Sequence, residues 1–226
     1  MTAYVIAPPA ETALPVEGGG TFPVRRIYCV GRNYADHARE MGADPDREPP
    51  FFFSKPRDAA VSHDAVAYPP ATADLHHEVE LVLAVGGAGA ALAPEQAGAL
   101  IFGAAVGVDL TRRDLQAQAK ASGRPWDMAK GFDASAPIGL VRPGPAPTRG
   151  AITLAVDGAP RQSGDLDQMI WSNSEILSHL SQLVRLEPGD LVFTGTPAGV
   201  GAVEPGQHIE AQAADLPPLR FKLFQP

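Results

Sequence analysis

The sequence predicts a single, mostly β domain carrying a few short helices. Three observations lead there. Gly and Pro number 23 each in 226 residues, scattered as PP, GGG, PG and GG, which cuts the chain into short strands and tight turns. Short apolar runs recur between those punctuation points. No internal repeat or low-complexity linker divides the chain, and 226 residues suffice for one large core.

Apolar and β-branched runs place strands at 26–30, 51–54, 78–85, 104–110, 152–156, 191–194, 208–213 and 219–223. The segments VDGAP, LEPGD and VEPGQ read as turns between or before them. Three helices are expected. The first, NYADHAREMG, ends at Gly42, a residue suited to a left-handed stop. The second, TRRDLQAQAKASG, opens with Thr111 as a cap and Asp114 three residues on. The third, SNSEILSHLSQLVRL, pairs Ser172 with Glu175 as a capping box and places Ile176, Leu177, Leu180, Leu183 and Val184 on one face. Residues 1–20 are expected to form an N-terminal extension to a single domain at 21–226.

Composition narrows the function. Hydrophobic residues at 45% and charged residues at 19% fit a soluble globular protein. A net charge of −8 without a basic run argues against nucleic-acid and anionic-membrane partners. Cys29, the single cysteine, lies in the alternating run RIYCVG and is expected to be a buried strand thiol in a reducing compartment. No apolar run reaches membrane-spanning length, and the N-terminus lacks the pattern of a secretion signal, so a cytoplasmic protein is the expectation.

The stretch HHEVELVLAVGG begins at His76 and sets two carboxylates at the mouth of an apolar strand. Residues two apart on a strand share a face, so Glu78 and Glu80 project together. Three resolutions exist for such a pair: solvation, neutralisation by Lys or Arg, or a bound cation. Asp109, where GAAVGVDL gives way to a helix, offers a third carboxylate; satisfying the helix N–H groups is its alternative role. Three carboxylates without a thiolate describe a hard oxygen site for Mg²⁺ or Mn²⁺. His76 and His77 point to opposite strand faces and so do not form a zinc pair. His37 and Glu40 stand three apart in NYADHAREM, where the carboxylate would orient the imidazole on one helical face.

Taken in order, GRNYADHAREM, PPFFFSKP, HHEVELVLAVG, GVDLTRRDLQ, WDMAKGFDASAPIG and FTGTPAGVG closely resemble the fumarylacetoacetate hydrolase family, over nearly the whole chain from Arg26 onward. The form resembles its single-domain branch, which includes acylpyruvate and fumarylpyruvate hydrolases, and looks most like the latter. The resemblance implies an α+β, predominantly β fold, an irregular mixed β-roll or barrel, usually assembled as a homodimer. It implies that Glu78, Glu80 and Asp109 ligate Mg²⁺, with Mn²⁺ or Ca²⁺ as alternatives. His37 and Glu40 would activate water, Lys130 would act as a catalytic cation, and Arg113, Gln116 and Thr196 would contact a small β-diketo acid substrate.

The implied reaction is metal-dependent hydrolysis of a C–C bond, with fumarylpyruvate giving fumarate and pyruvate. The distal carboxylate of that substrate needs a cation, for which Arg32, Lys55 and Arg124 are candidates. The polar, proline-rich segment after Glu40 is expected to order as a lid on ligand binding. Rival readings keep the metal site but change the reaction to oxaloacetate decarboxylation or to hydroxymuconate-type isomerisation or decarboxylation. A further rival is a binding module whose carboxylates merely staple strands through a cation.

Overall fold

In the computed structural model, residues 4–35 and 48–226 are described. The expected first helix at 33–42, with His37, Glu40 and the segment expected to form a lid, lies almost wholly outside them.

The central element is a six-stranded mixed sheet. Its order is Arg142–Pro143, Ile101–Val108, Val79–Val85, Asp190–Phe193, Arg26–Val30, Phe52–Lys55. All pairings are antiparallel except that of Asp190–Phe193 with Arg26–Val30. A five-stranded sheet runs in the order Ala159–Asp165, Ala151–Val156, His208–Ala213, Leu219–Phe224, Ala65–Ala67. A small three-stranded sheet joins Thr111–Arg112, Leu75–His77 and Gly201–Val203. The strand orders are linear, so among the described residues the architecture is mixed and predominantly β without a closed barrel.

Val79–Val85 is buried along its whole length because both faces of the central sheet are covered. Leu81, Leu83 and Val85 join one core with Val106 of the neighbouring strand and with Ile152, Leu154, Ile209 and Ala211 of the five-stranded sheet. Val82 and Ala84 face the opposite way, into a second core with Leu14, Phe22, Ile27, Cys29, Leu191 and Phe193. Cys29 is therefore a buried strand thiol, and burial pushes its pKa up. Ala13–Pro15, from the segment read as an extension, pairs with Thr21–Pro23 and delivers the fully buried Leu14 to that second core.

The helix Asn173–Leu183 opens as expected. Ser172 Oγ accepts from the Glu175 N–H, and Glu175 Oε2 accepts from the Ser172 N–H at 3.0 Å. Ile176, Leu177 and Leu180 are buried, whereas Leu183 at the last turn is exposed. Ser172→Ala is expected to lower stability by about 1 kcal/mol, read as a shift in the denaturant midpoint at unchanged slope.

The second helix departs from expectation at its start. It spans Arg113–Ala121, and Thr111 is a buried strand residue rather than its cap. The Thr111 hydroxyl instead accepts from Lys130 Nζ at 2.6 Å. Asp114 is taken by the preceding loop, accepting from Thr72 Oγ1 at 2.7 Å and from the Ala73 N–H. No helix among the described residues is long and apolar enough to cross a membrane.

Candidate active site and metal centre

The antiparallel ladder between Val79–Val85 and Ile101–Val108 builds the site. Glu80 lies opposite Gly107, and Val79 opposite Val108. One step past the ladder, the Asp109 N–H donates to the Glu78 carbonyl at 2.8 Å. That bond carries Asp109 alongside the two glutamates, which share the parity of Val82 and Ala84. Gly107 lets the layers close there, because a Cβ would come within 2.6 Å of Val82 Cγ2 and 2.8 Å of Phe193 Cε1. Glu78, Glu80 and Asp109 consequently present ligand oxygens within 4.8 Å of one another, all buried.

Burying three carboxylates together is costly unless cations or hydrogen bonds compensate. Lys130, at the end of the short helix Asp127–Lys130, donates to Glu78 Oε2 at 2.7 Å and to Asp109 Oδ2 at 2.6 Å. Burial opposes its positive charge, but Asp109 and Glu78 outweigh that and hold its pKa above the ordinary lysine value. Arg113 forms a salt bridge from Nη2 to Glu78 Oε1 and donates from Nη1 to Gln116 Oε1 at 2.6 Å. Arg113 and Gln116 thus meet on one helix face, as their spacing requires.

Lys55, considered as a cation for a distal substrate carboxylate, does something else. Its buried ammonium lies 2.8 Å from Asp109 Oδ1 and donates to the carbonyls of Leu110 and Lys130. It supports the triad from behind.

Glu80 is balanced differently. Its Oε2 accepts from the Gly195 N–H at 2.6 Å, a donor presented by a backbone at φ +98°. Glycine is needed there for that conformation, and a Cβ would lie 2.7 Å from Asn33 Cβ. Burial first, then Asp109 and Glu78, push the Glu80 pKa well above the usual carboxylate value. The cluster offers carboxylate oxygens only, converging from two strands, and draws an ammonium onto two of them. This donor set fits a hard divalent cation. The histidines stand outside it: His76 contacts Asp74 and Arg113, and His77 contacts Gln162.

One pocket gathers Glu78, Glu80, Lys130, Arg113, Gln116 and Thr196, with Asp109 behind Lys130. The same pocket is lined by Arg32, one of the cations considered for a distal carboxylate, and by Lys120, which the sequence did not single out. Lys120 Nζ stands 5.1 Å over the Trp126 ring, and Arg32 lies 5.2 Å over Phe51. Burial, with Arg113 and Arg32 nearby, lowers the Lys120 pKa. Lys120 was legible only as one of a helix's polar residues; its i+4 relation to Gln116 is the signal that places it on the same face. Arg124 lines a neighbouring cavity with Phe51, Phe52 and Trp126.

Comparison with known proteins identifies the family. A fumarylpyruvate hydrolase from Ralstonia sp is 45% identical over 174 residues, covering 75% of this chain and 91% of that protein. A mitochondrial oxaloacetate tautomerase from Homo sapiens is 38% identical over 205 residues, covering 89% and 93%. The crystal structure of fumarylpyruvate hydrolase from Pseudomonas aeruginosa in complex with Mn²⁺ and pyruvate superposes with a TM-score of 0.96 at 50% identity, covering 99% of this chain and all of that one. Residues 26–223 match the family profile described as fumarylacetoacetate (FAA) hydrolase C-terminal. By the extent of that match and the identity of its relatives, the chain belongs to the fumarylacetoacetate hydrolase family.

Proposed function

We propose that this enzyme is a Mg²⁺-dependent hydrolase that cleaves the C–C bond of a β-diketo acid, with fumarylpyruvate as its substrate. The observation that carries the reading is the buried triad of Glu78, Glu80 and Asp109 sharing a pocket with Lys130, Arg113, Gln116 and Thr196. When held by the three carboxylates, the cation supplies Lewis acidity toward the hard oxygens of a keto acid.

The chain's own residues divide the remaining work. Arg113, Gln116 and Thr196 orient the pyruvate-end carboxylate by charge and hydrogen bonding. Lys130 spends its three N–H donors on Glu78, Asp109 and Thr111; a cation taking the two carboxylates would free donors for the oxygen on which charge develops when water attacks the distal carbonyl. His37, oriented by Glu40, is the proposed base that takes the proton from that water. At the outer wall, Lys120 and Arg32 provide positive charge for the second carboxylate of fumarylpyruvate.

This assignment is tested by comparing fumarylpyruvate with acetylpyruvate, which lacks the second carboxylate. Loss of the ultraviolet absorbance of the conjugated diketo acid, with release of fumarate, reports the reaction. Lys120→Met is expected to lower kcat/KM for fumarylpyruvate about 30-fold and for acetylpyruvate less than about threefold. Wild-type enzyme that turns over neither diketo acid would end the hydrolase reading. The similarity to oxaloacetate tautomerases favours a second one, enolisation of oxaloacetate without water attack. Faster interconversion of oxaloacetate tautomers than cleavage of either diketo acid would support it.

A further inference from the structure

The edge strand Ala159–Asp165 is mostly exposed, yet it buries one side chain, the polar amide of Gln162, to 1% exposure. Polar groups are buried that completely only when their hydrogen bonds are made. Here they are: Gln162 Oε1 accepts from the Val79 N–H at 3.0 Å and lies 2.8 Å from His77 Nδ1. Gln162 Nε2 donates to the Pro197 carbonyl at 2.9 Å and to Thr196 Oγ1 at 2.8 Å.

Two of these partners are backbone groups of fixed character, and they settle the direction of the whole chain. The Val79 N–H can only donate, so the atom facing it is the amide oxygen. The Pro197 carbonyl can only accept, so the atom facing it is the amide nitrogen. His77 Nδ1 must then donate to Gln162, and Thr196 Oγ1 must accept from it. With that lone pair engaged, the Thr196 hydroxyl proton is left to be donated elsewhere. Thr196 lines the pocket beside Glu78, Arg113 and Lys130.

We propose that Gln162 is a positioning residue that fixes the Thr196 hydroxyl as a hydrogen-bond donor toward the carboxylate of the bound keto acid. It acts through Thr196 and does not touch substrate itself. The same amide ties the carboxylate strand, at Val79, to the loop whose Gly195 N–H holds Glu80. The inference rests on the keto-acid reading of the pocket.

The test is a double-mutant cycle read as binding of oxalate, a pyruvate-like anion, by calorimetry on full-length protein with Mg²⁺. Gln162→Met and Thr196→Val are each expected to weaken binding about tenfold, as loss of a hydrogen bond to a charged group does. Thr196→Ser, which keeps the hydroxyl, is expected to bind within about threefold of wild type. The double variant is expected to bind about as weakly as Thr196→Val alone, because both changes remove one interaction. Losses that multiply, to about a hundredfold, or full affinity in Gln162→Met, would overturn the proposal. If Gln162→Met does not fold, Gln162→Glu replaces it in the same cycle: it keeps an acceptor for Val79 but turns the Thr196 proton away from the pocket. Wild-type protein that fails to bind oxalate sinks the keto-acid reading and this inference with it. Oxalate binding by wild type with multiplying losses sinks the role of Gln162 alone.

Discussion

Glu80→Gln is expected to lower Mg²⁺ affinity about 100-fold or more while leaving the metal-free protein at least as stable as wild type. Glu78 and Asp109 each have cations against them: Lys130 and Arg113 for the first, Lys130 and Lys55 for the second. Glu80 is matched by the Gly195 N–H and sits deepest in the field of the other two carboxylates. Without metal, Glu80 therefore holds a proton well above the pH at which an exposed glutamate releases it. In the window between the ordinary glutamate pKa and that raised value, the folded chain binds a proton that the unfolded chain has lost. Stability of the metal-free protein consequently falls as pH rises through the window. Metal must displace the same proton, so affinity rises with pH over the same range.

The glutamine is an uncharged isostere of protonated Glu80 whose amide oxygen still accepts from Gly195. It removes the ligand charge, the released proton and the pH dependence together. Calorimetry in buffers of different ionisation enthalpy counts the proton, and thermal melts with and without Mg²⁺ follow stability. Unaltered Mg²⁺ affinity in Glu80→Gln would show that the cation is held elsewhere.

What the sequence made legible is what local periodicity controls. The strand at 78–85 carries its two glutamates on the parity of Val82 and Ala84, so their convergence follows from a period of two, although the strand begins at Val79. The capping box of Ser172 and Glu175 is likewise complete within four residues. Thr111 shows where that reasoning fails. Its spacing to Asp114 imitates a cap, but Lys130, nineteen positions on, claims its hydroxyl. Lys55, a candidate cation for the distal carboxylate, has its partner Asp109 54 positions away, and Gln162 has Thr196 34 positions away, so spacing reveals neither contact. Ala159–Asp165 was missed because an exposed edge strand with Pro and Gly has no apolar alternation; its pairing with Ala151–Val156 makes it a strand. Lys130 and Thr196 were reached through the family motifs AKGFD and GTPAG, not through spacing, and burial puts both in the pocket.

Lys130→Met separates catalysis from metal binding. It is expected to lower kcat about 100- to 1,000-fold, the range for loss of a well-placed oxyanion donor, with KM changed less than about fivefold. A metal ligand lost at the same time would confuse that reading, but Lys130 predicts the opposite effect on the metal. It occupies Glu78 Oε2 and Asp109 Oδ2, two of the oxygens a cation would use. Removing the ammonium leaves those carboxylates buried and short of a counter-charge, which destabilises the metal-free protein by about 3 kcal/mol. Mg²⁺ should restore much of that loss and bind more tightly than to wild type, because ligand that binds only the folded state adds stability by mass action.

Lys130→Arg is not expected to rescue turnover. Three contacts of 2.6–2.7 Å to Glu78, Asp109 and Thr111 converge on one nitrogen, a geometry that suits a point ammonium and not a planar fork. Single-turnover rates alongside Mg²⁺ calorimetry decide the matter. A Lys130→Met enzyme within tenfold of wild-type kcat would leave the ammonium a structural counter-ion and remove oxyanion stabilisation from the proposed reaction.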